Sequence, residues 1–150
     1  MSTVHEKIDI NAPPERVWEM VMDPNRLQDW VTIHRSVSDV SSRPLTKGST
    51  MEQVLHVRGV SFHVHWMLVD VSEPHHAEWE GRGPAGSRAR IRYELSGNDA
   101  GGPTRFEYIN EFAVPGGRLG SAASRVIVGA ASEREAKSSL ARLKALIERG

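Results

Sequence analysis

The strongest constraint on the fold is the spacing of turn residues between positions 34 and 114. Six stretches with strand composition are separated by short connectors such as Lys47-Gly48, Glu73-Pro74 and Gly83-Pro84. Connectors this short cannot hold crossover helices, so neighbouring strands should pair as antiparallel hairpins. A further strand is predicted near the N-terminus, at 3–10. The other predicted strands are 35–40, 50–58, 60–71, 77–81, 88–95 and 104–114.

Helical signals stand on either side of this strand-rich region. Pro14 and Glu15 suit the first turn of a helix, since proline needs no N–H donor there and a carboxylate favours the positive end of the helix dipole. Asp23-Pro24 ends that helix and begins a second short one that reaches Trp30. Apolar residues at helical spacing then predict one helix of about 45 Å over 118–149.

The composition excludes several classes of protein. Lysine and arginine number 19, as do aspartate and glutamate, so no basic field attracts nucleic acid. The chain has no cysteine, which excludes disulfides and thiolate chemistry. No apolar run approaches the ~18 residues of a membrane span, and no signal-peptide pattern is present. We therefore expect a cytoplasmic protein without stable membrane insertion, with residues 1–150 forming a single domain.

Alternation along the strands predicts which face of the sheet is buried. In the strand 60–71 the more apolar set should face inward: Phe62, Val64, Trp66 and Leu68. A bulge near Asp70 would reconcile the later Val69 and Val71 with this pattern. The inner face of the whole sheet is then apolar and aromatic, with four polar exceptions: Gln53, Tyr93, Tyr108 and Asn110. These four either bond to one another and to backbone, or they orient a ligand in an apolar cleft.

The predicted C-terminal helix differs between its two halves. The second half carries leucines such as Leu140 and Leu143, which can pack at native density. The first half is rich in small residues such as Gly129, which either let the helix approach the sheet closely or leave space for a ligand. We interpret the pattern as a ligand cavity. Its predicted lining is Trp30, His34, Gln53, Leu55, Trp66, Trp79, Tyr93, Tyr108, Asn110, Phe112, Ala123 and Ile127.

Several segments resemble one known superfamily. Residues 8–18 (IDINAPPERVW), followed by Asp23-Pro24 and Trp30, are similar to the opening of the START-like (SRPBCC) superfamily, and most of all to its polyketide cyclase/dehydrase branch. Residues 112–117 and 139–144 also resemble the end of its last strand and its terminal helix. The resemblance implies an α+β helix-grip fold, in which a curved seven-stranded antiparallel sheet wraps around a long C-terminal helix, with two short helices after the first strand. It also implies a deep cavity, in which members bind lipids, sterols, polyketides, quinones or plant hormones.

Two other motifs carry less weight. Residues 81–86 (GRGPAG) match the dinucleotide fingerprint formally, but they contain a proline and precede a strand, so we predict a turn.

His63 and His65 would project from one strand face, with His56 across the hairpin. No carboxylate completes a zinc site, and the preferred register sends these imidazoles to solvent. We therefore expect no metal and no cofactor.

The sequence favours binding or transport of a small hydrophobic molecule, such as a lipid, polyketide or quinone, over catalysis. The first alternative is a polyketide aromatase/cyclase or dehydratase in the same cavity, with His34, Tyr93 and Tyr108 moving protons. The second alternative is a protein-interaction module of the chaperone-activator type, which would expose a contiguous apolar patch.

Overall fold

The computed structural model describes residues 2–97, 101–114, 130 and 132–150. Its strands are β1 (Ser2–Ile10), β2 (His34–Ser38), β3 (Thr50–Val57), β4 (Val60–Ser72), β5 (His76–Arg82), β6 (Arg88–Gly97) and β7 (Thr104–Ala113). Its helices are α1 (Pro14–Val21), α2 (Leu27–Trp30) and α3 (Glu133–Arg149). The strands form one antiparallel sheet in the order β1-β7-β6-β5-β4-β3-β2, which confirms the predicted hairpin pairing.

The first and last strands of the chain are neighbours in this sheet. β1 pairs with β7 so that Ile8 lies opposite Phe106 and Ile10 lies opposite Thr104. From β7 the order runs back through consecutive hairpins to β2. Because β1 and β2 are the two edges of the sheet, the helices α1 and α2 must bridge from one edge to the other across its inner face.

The inner face of the central strand β4 is the predicted one. Phe62, Val64, Trp66 and Leu68 are at most 9% exposed, and the side chains that alternate with them are exposed. The predicted bulge is also confirmed, since the pairing of β4 with β5 shifts register between Leu68 and Asp70. This shift brings Val71 opposite Ala77, so the strand continues to bury part of its apolar surface beyond the bulge.

The start of the last helix differs from the prediction. A continuous helix over 118–149 is wrong, because Ser132 has extended backbone (φ −73°, ψ 154°) and its Oγ accepts a hydrogen bond from the Glu135 N–H. This is the N-cap arrangement, so α3 begins at Glu133 and its 17 residues extend about 26 Å. The rest of the small-residue half, 118–129 and 131, lies outside the described residues.

The C-terminal part of α3 packs against β1 and α1. Leu143 and Ile147 are buried there, together with Ile10 and Val17. The polar groups around them are paired: the Arg16 guanidinium donates to the Ile147 carbonyl (3.0 Å), and two further bonds join α3 to the backbone at the end of β1 and directly after it. We call this region, formed by α1, β1 and the C-terminal part of α3, the closed end. Among the helices of the described ranges, none has the length and apolar character needed to cross a membrane.

Candidate functional site

Two adjoining cavities lie between the sheet and the helices, away from the closed end. Chamber one has a volume of about 90 Å³ and is bounded by α2, α3 and the middle of the sheet. Chamber two has a volume of about 110 Å³ and lies toward the β5–β6 turn. An ordered water needs roughly 10–15 Å³ of such volume, so neither chamber is a mere packing defect. The residues on the walls of both chambers include Gln53, Trp66, Ile91 and Tyr108.

Most of the predicted site residues lie on these walls. Trp30, Trp79 and Tyr93 line chamber one. Leu55, Asn110 and Phe112 line chamber two, and Gln53, Trp66 and Tyr108 line both. His34 is on neither wall, although it contacts Gln53 from behind. The predicted Ala123 and Ile127 lie outside the described residues.

Hydrogen-bond chemistry fixes the direction of the Trp66–Gln53–His34 chain. An indole N–H only donates, so the Trp66 Nε1 bond of 2.9 Å identifies the Gln53 oxygen as its acceptor. The Gln53 amide nitrogen then faces His34 Nδ1 at 2.8 Å and must donate to it. His34 is therefore neutral, with its proton on Nε2. Partial burial lowers the pKa of His34 below its usual 6.5, in the direction this bond requires.

Two tyrosines give the cavity neutral hydroxyl groups. Burial raises the pKa of Tyr108 to about 12, although a hydrogen bond from the Asn110 amide to its hydroxyl (3.3 Å) acts in the opposite direction. Burial, and to a smaller extent the neighbouring Tyr108, also raises the pKa of Tyr93 far above its ordinary value. Both phenols stay protonated at neutral pH, so they can donate hydrogen bonds to a ligand but cannot act as bases.

The polar side chains of the inner face are satisfied in part by one another. Gln53 has two partners and Asn110 donates to Tyr108, as one of the two sequence interpretations expected. Two buried polar atoms nevertheless have no hydrogen-bond partner among the described residues: Trp30 Nε1, a donor, and Asn110 Oδ1, an acceptor. A buried polar atom left without a partner costs on the order of 1–3 kcal/mol. Trp30 is on the wall of chamber one and Asn110 on the wall of chamber two.

The sequence reasoning missed a polar group at one side of chamber one. The Thr32 hydroxyl donates to the Glu135 carboxylate at 2.6 Å, and the Ser139 hydroxyl accepts from the Thr32 N–H at 3.1 Å. Glu135, Ser139 and the cap residue Ser132 all line the chamber. The signal that could have found them is the pattern Ser132-x-x-Glu135, which marks a capping box and hence a helix start.

The two motifs given less weight have structural explanations. Pro84–Gly86 form a short 3-10 turn between β5 and β6, as predicted, and Ala85 there has a positive φ of 55°. His65 contacts Glu52 across the hairpin at 2.5 Å, and His56 bonds to Ser61 at 2.8 Å, all on the exposed side. In the part of the chain that the structure describes, no group of three or more acidic or histidine side chains could hold a metal ion.

The exposed apolar surface is limited in the described ranges. The large hydrophobic side chains exposed there are Val60 (45%) and Met67 (42%). They are seven positions apart on β4, which corresponds to roughly 23 Å along a strand. Two side chains at that separation do not make a contiguous patch.

A curved antiparallel sheet around a C-terminal helix, with a cavity between them, is the helix-grip architecture of the START-like proteins. The chain belongs to the family described as polyketide cyclase / dehydrase and lipid transport, whose model matches residues 1–148. This match confirms the resemblance noted in the sequence.

Individual relatives are distant in sequence but similar over most of the chain. The toxin Rv0910 of Mycobacterium tuberculosis is 25% identical over 107 residues, which cover 71% of this chain and 74% of the relative. The crystal structure of a conserved protein from Geobacillus kaustophilus has a TM-score of 0.74 at 18% identity and covers 99% of this chain and 96% of that one. A crystal structure from Thermus thermophilus has a TM-score of 0.72 at 18% identity, with 97% of both chains covered. At this identity the solved structures show the shared fold alone.

Proposed function

We propose that this protein binds a small, largely hydrophobic molecule in the two chambers and carries or senses it. The observation that supports this most directly is the pair of adjoining apolar cavities, each lined by a residue that carries a buried polar atom without a partner among the described residues: Trp30 Nε1 and Asn110 Oδ1. A ligand with one acceptor and one donor that reaches these two atoms would give both of them partners. The family description, which includes lipid transport, agrees with this class of ligand.

Apolar burial would supply most of the affinity. Each Å² of apolar surface removed from water contributes roughly 25 cal/mol, and the walls offer aromatic and aliphatic side chains such as Trp79, Ile91 and Phe112. The neutral hydroxyls of Tyr93 and Tyr108 would add directional hydrogen bonds rather than charge. The expected ligand is therefore uncharged over most of its length.

The geometry gives less support to a cyclase or dehydratase. Such an enzyme would need a base that reaches the ligand, and His34, the titratable side chain suggested for that role, lies on neither chamber wall. Its Nδ1 already accepts from Gln53. The Glu135 carboxylate, which does line chamber one, already accepts a hydrogen bond from the Thr32 hydroxyl. Tyr93 and Tyr108 remain as proton donors, which is a role they can also fill in simple binding.

The test is a ligand panel of fatty acids, quinones and aromatic polyketides, measured by thermal shift and by native mass spectrometry. We expect at least one class to raise the midpoint of thermal unfolding and to give a one-to-one complex, since a ligand that binds only the folded state stabilises it. A matched control is Arg82→Ala, which removes an exposed side chain that lines neither chamber. The same panel is measured against an unrelated protein that has no cavity. If the affinity of the wild-type protein exceeds that reference for no compound, the proposal is wrong.

A further inference from the structure

Gly81 is a glycine required by space rather than by backbone conformation. It lies within β5, directly opposite Trp66 of β4, and its φ is outside the left-handed region. A Cβ at this position would lie 2.5–2.9 Å from three atoms of the Trp66 benzene ring. Real Cβ atoms do not approach other atoms so closely, so any other residue at position 81 must displace the indole.

The contacts of Trp66 show how its indole lies on the sheet. The benzene edge covers Gly81 on β5, while Nε1 at the opposite edge donates to Gln53 on β3. Neighbouring strands are about 4.8 Å apart, so a ring that reaches both neighbours of β4 must lie across the strands and along the sheet surface. Since Trp66 lines both chambers, this flat ring forms part of the floor shared by the two.

A displaced indole should move away from the sheet. The sheet lies beneath it, and the chambers lie above it. A side chain at position 81 would therefore raise the ring into the space where the chambers adjoin and would weaken its bond to Gln53. Gly81 thus determines how far the Trp66 indole projects from the sheet at the boundary between chamber one and chamber two.

We propose that Gly81 determines the ligand specificity of this protein: by leaving no side chain beneath Trp66, it keeps the boundary between the chambers open to one elongated ligand that occupies both. This inference rests on the proposed function and adds the shape of the ligand to it. The class it selects is a flexible apolar chain with a polar group, such as a long acyl chain, in preference to a compact molecule that fills a single chamber.

A chain-length series tests this directly. Octanoic, dodecanoic and hexadecanoic acids are titrated into the wild-type protein and Gly81→Ala by isothermal titration calorimetry. For wild type we expect affinity to rise with length, by about fourfold for each methylene that becomes buried. In Gly81→Ala we expect the affinity for hexadecanoic acid to fall by roughly tenfold or more, the equivalent of about two methylenes, and that for octanoic acid to change by less than about twofold.

A second substitution separates this role from a purely structural one. Cross-strand pairing of an aromatic ring with glycine also stabilises sheets, so Gly81→Ala will lower the unfolding temperature in either case. In Gly81→Ala/Trp66→Phe, the smaller ring should restore the affinity for hexadecanoic acid. Should Gly81→Ala fail to fold, Trp66→Phe alone should still shift the preference further toward the longest acid, because the floor is lowered.

The displacement itself can be measured without any ligand. The protein has four tryptophans, and Trp66→Phe identifies the indole N–H signal of Trp66 in a nitrogen–proton correlation spectrum. This signal should move in Gly81→Ala, as the bond to Gln53 weakens, and should stay in place in the control Arg82→Ala.

The outcomes distinguish the two proposals. Equal loss of affinity at all chain lengths, or no change at any length, would overturn the specificity role of Gly81 while leaving the binding function intact. A wild-type protein that binds none of the three acids would overturn the specificity proposal, and one that also binds no quinone or aromatic polyketide would overturn the binding function. An unmoved Trp66 signal in Gly81→Ala would overturn the displacement on which the specificity depends.

Discussion

We call the region around the two chambers the hollow end. The closed end and the hollow end share one sheet, but the first is filled by side chains and the second is not. At the closed end Leu143, Ile10 and Val17 have no exposed surface, and the polar groups nearby bond to one another. At the hollow end the side chains are equally apolar, yet space remains, and the buried atoms Trp30 Nε1 and Asn110 Oδ1 have no partner among the described residues.

The difference shows that one sheet supports both a filled core, around Leu143, and an open one between the sheet and α2. A core normally reaches crystal-like density, and voids and unpaired polar atoms both cost stability. A protein that packs one end fully can tolerate that cost at the other, where ligand binding needs the room. Substitutions at the two ends should therefore affect stability and ligand affinity separately.

Leu143→Ala should destabilise the protein by about 3 kcal/mol, because a fully buried leucine leaves a cavity that its neighbours cannot fill. Chemical denaturation measures this change. At temperatures where the variant is folded, ligand affinity should stay within about twofold of wild type, since Leu143 lines neither chamber. A large loss of affinity in the folded variant would show that the two ends are coupled.

Ala136→Leu should have the opposite effect: it should lower ligand affinity and leave the stability almost unchanged. Ala136 is on the wall of chamber one, and the added methylenes would occupy space that is now open. The free energy of unfolding should change by less than about 1 kcal/mol, while ligand affinity falls by roughly tenfold or more. Loss of stability without loss of affinity would mean that the chamber is not the binding site.

The pH dependence of stability should carry a contribution from His34, which lies behind the wall of the hollow end and contacts Gln53. Burial lowers its pKa in the folded state below the ordinary 6.5, so the unfolded chain takes up this proton at higher pH than the folded protein. The contribution of neutral His34 is complete above the unfolded pKa and is lost as the pH falls toward the lower folded value. The free energy of unfolding of wild type, relative to that of His34→Gln, should therefore decrease as the pH falls from about 7.5 to about 5. A relative free energy of unfolding that increases as the pH falls over that range would contradict the neutral state of His34.

The smallest effect is expected on the outer face of the sheet. Arg90 pairs with Glu80 (2.7 Å) in an exposed cross-strand contact. Exposed ion pairs contribute from nothing to about 1 kcal/mol, so Arg90→Ala should change the unfolding free energy by about 0.5 kcal/mol or less. Ligand affinity should be unchanged, which makes this variant a control for the substitutions on the inner face.

The strands were predictable because their signal is local. Alternation in β4 identified its buried face, and the dissenting Val69 and Val71 identified the bulge near Asp70, since one extra residue exchanges the two faces of a strand. Most of the predicted lining residues are on the chamber walls for the same reason: a strand that buries one face fixes the direction of every side chain on it.

The remaining features depend on contacts between distant parts of the chain. In the sequence Gly81 was simply the first residue of a turn motif, because its meaning depends on the register that sets it opposite Trp66. The direction of the Trp66–Gln53–His34 chain likewise needs three strands in place. The break at Ser132 was local and was missed because the helical spacing of apolar residues outweighed the capping pattern.

The central claim, that the hollow end is a ligand site, is tested most directly by a crystal structure of the protein saturated with the compound that binds most tightly. We expect electron density for that compound within both chambers, with a polar atom in hydrogen-bonding range of Trp30 Nε1 or Asn110 Oδ1. Chambers that stay empty while the compound occupies the outer surface would contradict the claim.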